Sequence, residues 1–153
     1  MTLVDVKPAI ESVTVTSASI LAALHQACLD PAWDSQAMSE ILSMPGAQGM
    51  IALEEDSPVG FALAGVAADE AEILAIGVLP EVRGRGIGAQ LLARMTKSVQ
   101  DMGARKLCLE VADDNQIAQN FYQKHKFIQV GRRRRYYHRP DGPRDALVMA
   151  RHL

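Results

Sequence analysis

Cysteine is scarce in this chain: Cys28 and Cys108 are its only two, and they lie far apart. Neither belongs to a CxxC pair or to a Cys/His spacing that fits zinc, which argues against a disulfide framework and a structural metal site. No apolar run approaches the 18 residues of a membrane-spanning helix, and the first residues, Met1-Thr2-Leu3-Val4-Asp5-Val6-Lys7, lack the basic stretch and apolar core of a secretory leader. The expected location is the cytoplasm. Net charge is also small, −2 over 153 residues, so no overall field draws in DNA or an anionic membrane. Internal repeats and a polar linker are missing as well, which leaves one domain over residues 1–153.

What the chain has is an ordinary globular balance, 48% hydrophobic and 22% charged residues, enough for one core at this length. The pattern is mixed α/β. Residues 2–7 alternate weakly and could form an edge strand. Ser17 or Ser19 could cap a helix carrying Ile20, Leu21, Leu24 and Cys28 that ends at Asp30-Pro31, and Asp34 could cap a shorter one running to Pro45-Gly46. Met50–Leu53 and Val59–Ala64 flank a turn and read as a hairpin. Glu72–Val78 is apolar enough for a central strand buried on both faces. Ile87, Leu91, Leu92, Met95 and Val99 then recur at helical spacing. A strand over Lys106–Val111 and a helix over Asn115–His125 follow, with Ile117, Ala118, Phe121 and Tyr122 on one helix face. Strands near Phe127–Tyr137 and Arg144–Met149 close the chain around the turn-former Arg139-Pro140-Asp141-Gly142-Pro143.

The most informative stretch joins the central strand to the long helix through Arg83-Gly84-Arg85-Gly86-Ile87-Gly88-Ala89. Alternate glycines permit positive φ and close approach, so successive N–H groups can converge on a pyrophosphate at the positive end of a helix. Gly84-x-Gly86-x-x-Ala89 also satisfies the looser dinucleotide pattern. In that fold, however, the first glycine follows its strand directly, and here Pro80 and its neighbours intervene. A plainer role, a tight helix start, remains open.

Arg83-x-x-Gly86-x-Gly88, preceded by Pro80 and a hydrophobic strand, resembles the acyl-CoA loop of the GNAT superfamily of N-acetyltransferases. Leu109-Glu110-Val111, Asn115, Ala118, Tyr122 and Phe127, continuing through Arg134-Arg135-Tyr136-Tyr137 to Met149, are similar to the RimI branch of that superfamily. The likeness covers roughly residues 70–150. It implies a mixed, mostly antiparallel sheet of six to seven strands, with helices on both faces and a splayed central pair. It also implies acetyl-CoA as acyl donor, no metal, and the N-terminal amine of a ribosomal protein beginning with alanine as acceptor. Ile76, Gly77 and Val78 would then contact pantetheine, Arg83 to Ala89 the phosphates, and Asn115 both cap its helix and touch the donor. Glu110 becomes the general base and Tyr122 the general acid, with Glu72 a second base candidate. Tyr136 and Tyr137 would cover the acceptor, and Trp33 would wall its pocket or pack in the core.

An α-amine of pKa about 7.7–8.0 is roughly 20–35% neutral near pH 7.4, against about 0.1% of a lysine, so a weak base suffices for an N-terminus. A lysine side chain, a small-molecule amine, and a non-catalytic acyl-CoA-binding or RNA-associated role for Arg132–Arg135 are the alternatives. The resemblance departs at Lys126, where glycine would close the helix in a left-handed conformation at lower cost.

Overall fold

In a computed structural model that describes residues 7–29 and 31–153, seven strands form one sheet in the order β1-β2-β3-β4-β5-β7-β6. These are β1 (Ala9–Val13), β2 (Ala47–Glu54), β3 (Ser57–Ala67), β4 (Glu70–Val78), β5 (Lys106–Ala112), β6 (Ile128–Arg139) and β7 (Gly142–His152). Four α-helices accompany them: α1 (Ala18–Cys28), α2 (Ser35–Leu42), α3 (Ile87–Asp101) and α4 (Gln116–Lys124). All neighbouring strands are antiparallel except β4 and β5. The mixed sheet expected from the sequence is therefore present. No helix among the described residues is long and apolar enough to cross a membrane.

Each element follows from its residues. α3 buries Ile87, Leu91, Leu92, Met95 and Val99 against Ala62, Ala64, Ile73, Leu107 and Leu109 of the sheet, and each large side chain so buried contributes about 1.5–3 kcal/mol. On the opposite face α1 and α2 bring Leu21, Leu24 and Met38 against Ile51, Phe61, Leu63 and Ala75. Asp34 caps α2 as its position suggests, accepting from the Ala37 amide at 2.8 Å. Ser17 stands at the N-cap of α1 but makes no side-chain cap, because a 3-10 turn over Val15–Ser17 leads into the helix instead.

Three other details differ from the sequence reading. The edge strand lies at Ala9–Val13, whereas most of the stretch proposed for it, residues 2–6, lies outside the described residues, as does Asp30. The last hairpin is tighter than expected, with only Pro140 and Asp141 between β6 and β7. β4 is not uniformly buried either. A bulge opposite Leu63/Ala64 lets Leu74 and Ala75 both turn toward the α1–α2 face, while Ile73 and Ile76 pack on the α3 side.

At the end of α4, Lys126 has φ 71°, and the Phe127 amide donates to the Tyr122 carbonyl at 3.0 Å. This is the left-handed helix stop that glycine makes without steric cost. Lys126→Gly should therefore raise stability by about 1 kcal/mol, or roughly 2–4 °C in the thermal midpoint measured by circular dichroism.

Candidate functional site

β4 and β5 pair over three positions only, Glu70↔Lys106, Ala71↔Leu107 and Glu72↔Cys108. Beyond these, β4 runs on to Val78 beside β3, and β5 to Ala112 beside β7, so the two strands part. Backbone N–H and C=O groups of β4 that face the gap have no strand partner there, and such groups hold an extended ligand as an added strand would.

The gap opens into a cavity of 650 Å³ whose lining includes Ile76, Gly77 and Val78 of β4, Gly84, Gly86, Ile87, Gly88 and Ala89 of the loop and α3, and Asn115, Ala118, Phe121 and Tyr122. Gly86 sits at the N-cap of α3 with φ 81° and offers no side-chain cap. The amides of Ile87, Gly88 and Ala89, the first three of α3, precede its first internal bond, Gln90 N–H to the Gly86 carbonyl. These uncapped amides at the positive end of a helix form an anion seat facing the cavity.

Gly77 is required by close approach. A Cβ there would lie 2.7 Å from Phe61 Cε1 and 2.8 Å from Cys28 Cβ. Arg83 also lines the cavity, and its Nε donates to the Val78 carbonyl at 2.9 Å, tying the loop to the end of β4. On the far wall, Asn115 caps α4 by accepting from the Ala118 amide. Gln119 Nε2 donates to the Ala112 and Asp113 carbonyls, which fixes the turn from β5 into α4. Tyr122 is thus carried to the cavity on a braced helix. It is 8% exposed, and burial first, then neighbouring Tyr137, pushes its phenol well above the usual range. Tyr122 therefore keeps its proton through the neutral range.

Glu72 and Glu110 mark the other side of the gap. Leu107, Leu109 and Val111 face the α3 core, so Cys108 and Glu110 point to the opposite face. The Glu110 side chain is 15% exposed and pairs with the Arg133 guanidinium, Oε1 lying 2.8 Å from Nε. Partial desolvation and then the Glu110 charge raise the Glu72 carboxyl, with Arg133 opposing. Glu72 nevertheless remains solvent-exposed. Tyr136 and Tyr137 stack edge-on at 5.1 Å, and Tyr137 is raised by desolvation and then by Glu110. Both tyrosines therefore gather beside Glu110.

Two expected site residues are elsewhere. Arg85 turns away from the cavity to Glu54 at 3.3 Å, because the left-handed glycines on either side point alternate residues outward. Trp33 stacks on buried His25 at 4.5 Å and packs against the α1–α2 core; the core alternative is the one its packing supports. Cys28, Leu29, Phe121, Lys124 and His125 also line the cavity and were not expected there from the sequence. Ile117 was expected on the buried face of α4 but is 86% exposed and lines the cavity. Among the described residues no cluster of three or more ligating side chains could hold a metal.

His25 Nδ1 accepts from the Trp33 amide at 3.1 Å, and desolvation lowers its pKa. The neutral ring is required, so its contribution to stability is complete above about pH 6.5 and is lost as pH falls through the lowered folded value. Thermal melts between pH 5 and 7.5 should show this loss in the wild type, and His25→Gln should flatten that part of the profile.

Comparison with known proteins agrees with this geometry. The family model described as Acetyltransferase (GNAT) family matches residues 19–127. A [ribosomal protein bS18]-alanine N-acetyltransferase from Haemophilus ducreyi is 36% identical over 101 residues, covering 65% of this chain and 70% of the relative. The crystal structure of the ribosomal-protein-S18-alanine N-acetyltransferase from Escherichia coli superposes with a TM-score of 0.89 at 25% identity, covering 95% of this chain and 94% of that one. Arabidopsis thaliana NAA60 in complex with acetyl-CoA shares the fold at a TM-score of 0.83 and 17% identity, covering 95% of this chain and 98% of that one.

Proposed function

Since the chain belongs to the acetyltransferase (GNAT) family and is an acetyl-CoA-dependent N-acetyltransferase, we propose that its acceptor is the N-terminal α-amine of a protein, specifically a ribosomal protein beginning with alanine. The observation that carries this reading is the two-sided gap between β4 and β5. The cavity with its anion seat and Tyr122 lies on one side, and Glu110 with the Tyr136–Tyr137 pair on the other. The relatives that match most of this chain bear the name of that reaction.

In this reading the donor's pyrophosphate rests on the α3 amides and its pantetheine arm runs along Ile76–Val78, completing the unpaired edge of β4. The thioester then reaches the gap beside Tyr122. The acceptor amine attacks the acetyl carbonyl carbon, the C–N bond forms and the C–S bond breaks. Glu110, directly or through a water, takes the proton the nitrogen sheds, and Tyr122 donates a hydrogen bond, then a proton, to the departing thiolate. An α-amine is already about one-quarter neutral near pH 7.4, so a partly exposed carboxylate is an adequate base. Tyr136 and Tyr137 flank the first residues of the acceptor.

The test incubates the protein with acetyl-CoA and two peptides, one beginning with alanine and one blocked at its N-terminus but carrying an internal lysine. Thiol release gives the rate, and peptide mass locates the acetyl group. Acetylation of the alanine α-amine, slowed by Glu110→Gln, is the expected result. Reaction of the lysine peptide alone would replace the acceptor assignment while keeping the donor site.

A further inference from the structure

The Glu110 carboxylate is not free in this site. Arg133, on β6, forms an ion pair with it, Nε lying 2.8 Å from Oε1, and the same guanidinium lies over the Tyr136 ring at 5.5 Å. Arg133 side chain is 60% exposed, and an ion pair with so exposed a member contributes little to stability. Its geometry is nevertheless held at both ends, by a carboxylate and by an aromatic face.

The backbone beneath it is built for this. Glu110 faces Val148 across β5 and β7, and Arg133 faces Ala146 across β6 and β7. Val148 and Ala146 are two apart on one strand, so Glu110 and Arg133 emerge on one face of the sheet from the two strands that flank β7. Directly after Arg133 the register slips, with Tyr137 next in pair with Arg144, and Arg135 takes φ 53°. Asp145 pins the slip: its Oδ1 accepts from the Arg135 amide at 2.9 Å and its Oδ2 from Arg132 at 2.8 Å. This bulge turns Tyr136 back toward Arg133.

We propose that Arg133 is a positioning residue for the acceptor amine: by engaging Oε1 of Glu110 it sets the carboxylate plane and leaves Oε2 directed to the nitrogen that must lose a proton. The proposal rests on the reading of Glu110 as the base. A carboxylate bonded through one oxygen has a single rotamer and one receiving oxygen, whereas an unbound one must be ordered during each turnover. Tyr136 serves on the other side, keeping the guanidinium from swinging into solvent.

The experiment is a double-mutant cycle on the full chain, with Arg133→Ala, Glu110→Gln and both together, and Arg133→Lys as the conservative variant. Kinetics are measured with whichever amine the peptide panel identifies. Arg133→Ala should lower kcat/KM for the acceptor roughly 10- to 100-fold, the loss expected when a charge-assisted bond to a working carboxylate goes. KM for acetyl-CoA and the thermal midpoint should stay as in the wild type. In the Glu110→Gln background the same substitution should cost less than about twofold, and Arg133→Lys, which keeps the charge but not the guanidinium plane, should recover only part of the rate. Equal losses in both backgrounds, or no loss in either, overturn the proposal. Either result can occur while the alanine peptide is acetylated normally, so failure here is distinct from failure of the acceptor assignment.

Discussion

Tyr122→Phe should lower kcat by roughly 10²–10⁴-fold, the range for loss of a proton-donating group, while KM for acetyl-CoA and the thermal midpoint barely change. The ring is buried against Phe127 and Phe121, and phenylalanine keeps those contacts. Only the hydroxyl is removed. With the phenol raised by burial, titration of Tyr122 should also leave no alkaline limb on the rate below pH 10 in the wild type. A phenylalanine variant with full activity would remove Tyr122 from the chemistry and leave its packing as its only role.

Gly86→Val should weaken acetyl-CoA binding about 10- to 100-fold without unfolding the protein. Nothing lies within 4 Å of a Cβ at this position, so the substitution causes no clash. Its cost comes from φ 81°, which a β-branched residue adopts only with strain, about 1–2 kcal/mol or more. The loop relieves that strain by moving, and the amides of Ile87, Gly88 and Ala89 then no longer converge. Titration calorimetry with acetyl-CoA reads the loss. Unchanged affinity would mean that the first turn of α3 is not the phosphate seat.

Much of the donor side was legible in the sequence because its determinants are local. The glycines that need positive φ, the helical spacing from Ile87 to Val99 and the capping residue Asn115 each act within one turn of the chain. The acceptor side was less legible because it depends on how distant strands meet. Glu110 and Arg133 become neighbours only through β7, which pairs with both. Arg132–Arg135 alternate along one strand, and alternation alone cannot show that Arg132 turns to Asp145 and Arg133 to Glu110. Arg85 failed for a related reason: the loop's composition was clear, but the side to which each residue points depends on two left-handed glycines. Ile117 shared a helix face with Phe121 by periodicity, yet Phe121 packs against the core while Ile117, in the first turn of α4, is left exposed beside the gap.

The short pairing of β4 with β5 has a consequence for folding as well as for chemistry. Among the described residues three register pairs are the only ladder joining the β1–β4 half-sheet to the β5–β7–β6 half-sheet, with α3 and the core beneath them supplying the rest of the seam. In the proposed binding mode a donor along the open edge of β4 and against α4 would bridge these halves, working as mortar between two blocks of the enzyme. The free protein should open first along this seam, and saturating acetyl-CoA should slow hydrogen exchange there before anywhere else, since whatever binds only the closed form deepens its stability in proportion to RT ln(1 + [L]/Kd).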